Sequence, residues 1–362
     1  MKYTPFFEIH KALNAKMALF GGYQMPIQYS YGVNHEHLTV RKNLGVFDIS
    51  HMGEFIVEGP QALELLQFIC SNDIAKLNPG KAQYNYLPNK TGGILDDLIV
   101  YQLEKEKYLL VVNASNIEKD WKWISKYNQF FKADIRDISN KTALLAIQGP
   151  KAIEAMQSLC DTNLTDLKNY CHTTTSFAGF KNILVATTGY TGSGGIEIYF
   201  DPKYAKTIWE RIMHVGSSYG ISPIGLAARD TLRIEMGYCL YGSEINDTTS
   251  PISAGLKWAT KTKTNFIIQS EYKKSAENLS YKKLIGFEMD TRGIPRSKYL
   301  IYDKNENIIG KVTSGTQSPT LNKGIGMGYV KSEFSKIGKK ILVKIRDKFV
   351  PCTIVKVPFY KQ

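Results

Sequence analysis

Apolar residues recur every three or four positions in some stretches of this chain and alternate with polar ones in others, and the changes of rhythm divide it into elements. Within residues 5–20, Phe6, Phe7, Ile9, Leu13 and Met17 fall near helical spacing and predict a short helix leading into a turn at GGYQMP, residues 21–26. Leu38, Val40 and Leu44 predict an amphipathic helix stopped at Gly45, followed by one strand from Val46 to Val57 that ends at Gly59 and Pro60. A helix over 61–69 comes next. The run KAQYNYLPNKTGGILDDLIVYQLEKEKYLLVVNASN then reads as three strands joined by NKTGG and EKEK turns, an antiparallel meander. Helices are predicted from Asn116 to Lys126, Ala152 to Leu159, Tyr204 to Tyr219 and about Gly225 to Met236. Strands are predicted from Thr142 to Ile147, Ile183 to Thr188 and Ile196 to Phe200.

Two segments repeat a strand, Gly-Pro, helix pattern, EFIVEGPQALELL and LLAIQGPKAIEAM, which suggests a duplicated α+β unit. Beyond the polar stretch from Lys261 to Lys283 the helical rhythm stops. LIGFEM, YLIYD, IIGKVTSG, GIGMGYV, ILVKIR and PCTIVKV are short strands of an all-β domain, a small barrel or jelly roll, beginning near residue 280.

With 362 residues, 43% of them hydrophobic, the chain can bury more than one core. Its five cysteines (Cys70, Cys160, Cys171, Cys239, Cys352) form no CxxC pair and suit a reducing compartment. No segment has the run of about 18 to 20 apolar residues that a membrane span needs, and the N-terminus lacks a signal-peptide core, so a cytoplasmic protein is expected. The net charge of +13 comes from scattered lysines with no nucleic-acid motif beside them, so a lysine-rich solvated surface is the expected cause.

Candidate chemistry begins in GGILDDLIVY, residues 92–101. Strand alternation puts Asp97, Ile99 and Tyr101 on one side and Asp96, Leu98 and Val100 on the other, so one carboxylate is carried toward a packed face. It is either satisfied by backbone amides or an arginine at a strand edge, or it serves a ligand. The glycine-dense loop GYTGSGG leads into a strand instead of a helix, so it reads as a hairpin offering Tyr190 and Glu197 to a pocket, or as a plain hairpin. Arg229, near Tyr238 and Tyr241, suits a flat ligand bearing a carboxylate. Asp230, Arg233 and Glu235 read as surface salt bridging, and His51, with no partner at readable spacing, as structural.

Taken together, FDISHMGEF, GGILDDLIVY, VVNASNIEKDW, LLAIQGP, GYTG with its following Glu197, GLAARDTLRIEMGYCLYG, TSGTQSPTLNKGIGMGYV and a terminal PFY resemble the aminomethyltransferases, or T proteins, of the glycine cleavage system, in order and along the whole chain. The resemblance implies an α+β fold of three domains in a cloverleaf around a central folate channel. Residues 1–50 with 140–260 would form one α+β domain (ferredoxin-like), 51–139 a second carrying the antiparallel meander, and 280–362 the C-terminal β-barrel. It also implies transfer of the one-carbon unit from an aminomethylated, lipoylated H protein to the co-substrate tetrahydrofolate, with release of ammonia and no need of pyridoxal phosphate, metal, nucleic acid or membrane. Carried over by motif, the key acid falls on Asp97, and the pocket on Met52, Tyr84, Ile99, Tyr101, Val112, Asn113, Tyr190, Glu197, Arg229 and Tyr238. Arg296, in RGIPR, falls near the ammonia-releasing end. One departure stands out: Ser193 and Gly194 replace two acids usual at the tip of the GYTG loop, which would alter that loop's charge. The nearest alternative is the folate-binding protein of the same fold that supports iron–sulfur enzymes, but the cysteine-containing loop that marks it is absent here.

Overall fold

The computed structural model describes residues 1–277 and 281–361; the expected start of the last domain at residue 280 and the final residue, 362, lie outside the described residues. The chain forms two compact units. The first holds Met1–Gln67, Asp73–Asn85 and Leu98–Asp230, and the second holds Phe68–Asn72, Tyr86–Asp97 and Thr231–Gln362.

In the first unit, strand β1 (Lys2–Tyr3) precedes helix α1 (Phe7–Ala12), and β2 (Lys16–Phe20) pairs antiparallel with β3 (Tyr23–Gln28). The short helix expected within residues 5–20 is present as α1, but the remainder of that stretch is strand instead of a lead into the turn. Asn14 takes φ 55°, and Gly21 and Gly22, both at positive φ, close a hairpin whose pairing outweighs the local helical spacing. Helix α2 (Gly32–Lys42) ends before Gly45, which lies inside β4 (Leu44–Asp48). A Cβ there would sit 2.3 Å from Ile224 Cγ1, so this glycine permits close packing of a strand and is not a helix stop. The single strand expected from Val46 to Val57 is two, β4 and β5 (Gly53–Glu58), separated by a turn in which Met52 N donates to Ile49 O at 3.2 Å.

After helix α3 (Ala62–Ile69) comes the meander of β6 (Lys81–Pro88), β7 (Ile94–Glu104) and β8 (Lys107–Val112), then α4 (Ile117–Phe131) and β9 (Asp134–Asp137). These strands form a sheet of order β6-β7-β8-β5-β9. One face is covered by α4, whose Trp121 ring lies 5.1 Å from that of Phe55.

A second sheet, of order β11-β12-β13-β10-β4-β14, is built from β10 (Ala143–Gln148), β11 (His172–Phe177), β12 (Phe180–Ala186), β13 (Gly195–Phe200) and β14 (Ile221–Pro223) around β4. Leu145, Ile147, Ile196 and Ile198 on its one face pack with Met156 of α5 (Ala152–Gln157) and with Ile208, Trp209 and Ile212 of α6 (Ala205–Gly216). By alternation Ala146, Gln148, Glu197 and Tyr199 take the opposite face.

Helix α7 (Leu226–Met236) continues the chain toward the second unit, where α8 (Gln269–Glu277) interrupts the polar stretch. Then β15 (Lys282–Met289), β16 (Leu300–Tyr302), β17 (Ile308–Ser318), β18 (Lys323–Lys331), β19 (Lys340–Ile345) and β20 (Lys348–Val355) close an antiparallel barrel of order β15-β18-β17-β16-β19-β20. Phe287, Ile301, Val343 and Ile354 fill its core. The chain is an α+β protein with a C-terminal barrel built from the six strands that alternation predicts. Within this unit Arg233 and Glu235 are buried, against the expectation of surface salt bridging. The Arg233 guanidinium pairs with Glu244 at 2.7 Å and donates to Ser314 Oγ at 2.8 Å, while Glu235 accepts from Ser318 and Thr320. A buried charge persists only when paired in this way.

Candidate functional site

From Asp96 to Val100 exposure along β7 alternates, while Leu95 and Tyr101 are buried on the less covered side. Asp96, Leu98 and Val100 are buried, while Asp97 and Ile99 are half-buried. Leu98 stands opposite Val112 and Val112 opposite Gly53; a Cβ on Gly53 would meet Val112 and Ile117 of α4, which fixes this row as the helix-covered face. Asp97, Ile99 and Tyr101 belong to the other side of the strand. Strand β7 lies between β6 and β8, but its ladder with β8 begins at Leu98, so Asp96 and Asp97 sit just beyond that pairing. The side chain of Val112 points to the helix side, and Val111, opposite Ile99, takes the face of Tyr101.

Tyr101 anchors a buried polar cluster in the first unit. Its hydroxyl lies 2.9 Å from Thr188 Oγ1, 2.9 Å from the Tyr199 hydroxyl and 3.4 Å from Glu197 Oε2. Thr188 also donates to that carboxylate oxygen. Burial raises both phenols well above their ordinary range, so they remain neutral donors around Glu197.

Arg229 is supplied by α7, whose start is fixed by an acid. Glu36 of α2 accepts from Gly225 N at 2.7 Å and from Tyr29 N at 2.6 Å, setting a carboxyl at the electropositive end of the helix. One turn along, the Arg229 guanidinium stacks 4.7 Å above the Tyr190 ring. Burial lowers the Arg229 pKa, opposed by Tyr190 and Glu197, whose field reaches it. His51 is buried with its ring 5.5 Å from that of Phe20. Burial drives its imidazole down to about 4 against an opposing pull from Asp48, and the charge of Arg229 adds to the fall. It is a neutral imidazole at ordinary pH.

Tyr190 and Glu197 are held by the expected hairpin between β12 and β13, so Tyr101, Tyr190, Glu197 and Arg229 are brought together within the first unit. Met52 and Tyr84 are half-buried in the same unit, and Asn113 directly follows β8. Asp97, Tyr238 and Arg296 belong to the second unit. There Asp97 and Glu244 add to the burial that raises the Cys239 thiol pKa, Tyr238 is bound through its backbone to Arg233, and Arg296 is exposed on the loop before β16. Ser193 does not occupy an exposed loop tip, as its place in the sequence suggests. It is buried, and its hydroxyl accepts from Arg41 at 2.6 Å, while the neighbouring Gly194 is exposed. Sequence reasoning missed Thr188, Tyr199, Gln148 and Arg41; Glu197-x-Tyr199 at period two was the one local signal for any of them. Among the described residues no group of three or more His, Cys, Asp and Glu side chains gathers where a metal could sit.

This architecture has close relatives. Residues 6–264 match the GCVT N-terminal domain family and residues 282–361 the glycine cleavage T-protein C-terminal barrel domain. The chain is 54% identical over its full length to the aminomethyltransferase of Flavobacterium psychrophilum, and 50% identical to that of Porphyromonas gingivalis, each relative also covered completely. The crystal structure of the glycine cleavage system aminomethyltransferase T from Bartonella henselae superposes with a TM-score of 0.93 at 33% identity, covering 99% of this chain and 98% of that one. With both of its domains matched and its whole length shared with these enzymes, the chain belongs to the glycine cleavage T-protein family of aminomethyltransferases.

Proposed function

We propose that this chain moves the one-carbon unit of an aminomethyl group, carried on the lipoyl sulfur of the H protein, to tetrahydrofolate. One ring nitrogen of tetrahydrofolate forms a bond to the methylene carbon as the bond to sulfur or amine breaks, and the second nitrogen then closes the methylene bridge. The two protons lost by these nitrogens leave on ammonia and on the dihydrolipoyl thiol, so the reaction balances with no oxidant. It gives methylene-tetrahydrofolate. The observation that carries the reading is the cluster of Tyr101, Glu197, Tyr190 and Arg229, which offers aromatic surface, a carboxylate and a guanidinium to a flat heterocycle with an anionic tail.

In this reading Met52, Tyr84, Ile99, Val112 and Asn113 complete the co-substrate's pocket in the first unit, and Tyr238 is assigned to co-substrate binding by the resemblance alone. Arg296 stands near the exit for ammonia. Asp97 carries the chemistry. Its carboxylate stabilises the positive character that builds as ammonia leaves, and orients the second nitrogen by a hydrogen bond of about 2.6 to 3.2 Å. The net charge of +13 favours docking of an acidic H protein, chiefly through the association rate. Free thiols at all five cysteines and the lack of any helix fit to cross a membrane, among the described residues, agree with a cytoplasmic setting. Ammonia release from aminomethylated H protein tests the function: it should rise strongly when tetrahydrofolate is added, and a rate indifferent to tetrahydrofolate would remove this reading.

A further inference from the structure

Four of the seven residues from Gly189 to Gly195 are glycines, and Gly192, Gly194 and Gly195 take φ values of 67°, 75° and 126°. Left to itself such a segment would sample many conformations, and Tyr190 would spend little time over Arg229. Two buried side chains from outside the loop restrain it. Gln148, at the end of β10, donates through Nε2 to Thr188 O at 3.1 Å and to Ile196 O at 3.3 Å, one on each side of the loop, and accepts from Thr191 Oγ1 at 3.0 Å in its middle. From α2, Arg41 donates through Nη1 to Thr191 O at 2.5 Å and to Ser193 Oγ at 2.6 Å. Both are at least nine-tenths buried, Gln148 at 2% exposure and Arg41 at 8%.

The fit is close as well as bonded. A Cβ on Gly189 would lie 2.0 Å from Gln148 Oε1, and one on Gly195 would lie 2.2 Å from Ile147 O. Gly149 N donates to Gly194 O at 3.0 Å, so the backbone after Gln148 joins the same seam. Thr188, held at its carbonyl by Gln148, is also the residue whose hydroxyl meets Tyr101 and Glu197. One amide therefore sits between the two halves of the pocket, the Tyr101–Glu197 cluster and the Tyr190–Arg229 stack.

We infer that Gln148 and Arg41 are positioning residues for tetrahydrofolate: they hold the 189–195 loop closed onto its anchors, so that Tyr190 and Arg229 are already stacked when the co-substrate arrives. The inference rests on the function proposed above. Holding a binding group in place before the ligand comes removes an ordering cost from binding, so the loss should fall on co-substrate affinity more than on turnover at saturation.

The test compares Arg41→Ala, Gln148→Met and Tyr190→Ala, singly and as the double variant Arg41→Ala/Tyr190→Ala, in steady-state ammonia release with tetrahydrofolate varied. Each single variant should raise KM for tetrahydrofolate on the order of tenfold or more, with kcat at saturation held within about threefold. The double variant should be little worse than Tyr190→Ala alone, because Arg41 acts through that ring. Arg41→Lys should restore part of the affinity. Hydrogen exchange should quicken in residues 189–195 of the Arg41 and Gln148 variants. Ile212→Val, a core change in α6, serves as the control: it should lower Tm and leave KM unchanged. Wild-type KM in the Arg41 and Gln148 variants, or losses that follow Tm along the same line as the control, would overturn the inference. If the wild type itself ignored tetrahydrofolate, the function would be at fault; a tetrahydrofolate-dependent wild type with indifferent variants would sink this inference alone.

Discussion

Strand β5 with its turn and α3, and strand β10 with its turn and α5, are built alike and put to different uses. In each, the strand ends in Gly-Pro, the glycine sits at positive φ (108° at Gly59, 140° at Gly149), and the alanine opening the helix donates its N–H to that glycine's carbonyl at 3.0 Å. Position by position, however, Glu54 matches Leu144 and Glu58 matches Gln148. Glu58 lies at the surface beside Arg136, whereas Gln148 is buried and ties down the Tyr190 loop. Leu144 is plain core, whereas Glu54 is fully buried and neither of its carboxyl oxygens has a hydrogen-bond partner among the described residues. At the position before Gly-Pro the same backbone device thus places a polar group in the buried interior in one copy and at the solvent-facing surface in the other.

The largest test of the comparison is at the two glycines. A Cβ on Gly149 would meet Asn43 O at 2.3 Å and Leu44 Cα at 2.7 Å, both backbone, while one on Gly59 meets nothing within 4 Å. Gly149→Ala should therefore cost about 4 kcal/mol or more, and Gly59→Ala only the conformational penalty of about 1 to 2 kcal/mol. Equal losses in denaturant unfolding would mean that the two turns are not packed differently.

A smaller effect is expected from Glu54→Leu, which writes the second copy's residue into the first. Burial raises the Glu54 carboxyl well above its ordinary pKa, and Asp137 adds to this. Tyr23 and Tyr199 also face it from β3 and β13 and feel its charge. Below the ordinary carboxyl range the group is protonated in both folded and unfolded chains and costs nothing through ionisation. As pH rises past that range the unfolded chain ionises freely while the folded one cannot, so this residue progressively lowers stability. The Tm of Glu54→Leu relative to wild type should accordingly improve from pH 4 to pH 8; a difference that stays flat or moves the other way would show that Glu54 is ionised in the fold.

How much of this was legible beforehand follows from the range of the forces involved. The six barrel strands and the meander could be read because alternation is local and each strand buries one face. The strand Lys16–Phe20 could not, because its partner and the Gly21–Gly22 turn outweigh a helical spacing that Leu13 and Met17 only imitate. Gly45 misled for a related reason: its missing side chain accommodates Ile224, far along the sequence. Tyr190, Glu197 and Arg229 stood out as residue types in suggestive places. Gln148 and Arg41 had no local signature, since their role depends on hydrogen bonds across 40 to 152 residues of sequence.

Asp96 and Asp97 put the account's central claim most directly at risk, since adjacent residues of one strand face opposite ways. Ammonia release per folded molecule should be measured for Asp97→Asn and Asp96→Asn at saturating tetrahydrofolate, with Tm recorded for both. Loss of a positioned charge at the reacting atoms should cut turnover of Asp97→Asn by about 100-fold or more. Asp96→Asn, altered at a fully buried position, should lose Tm and keep turnover within about threefold. A collapse of turnover in Asp96→Asn with Asp97→Asn nearly unaffected would contradict the assignment and move the site to the other face of β7.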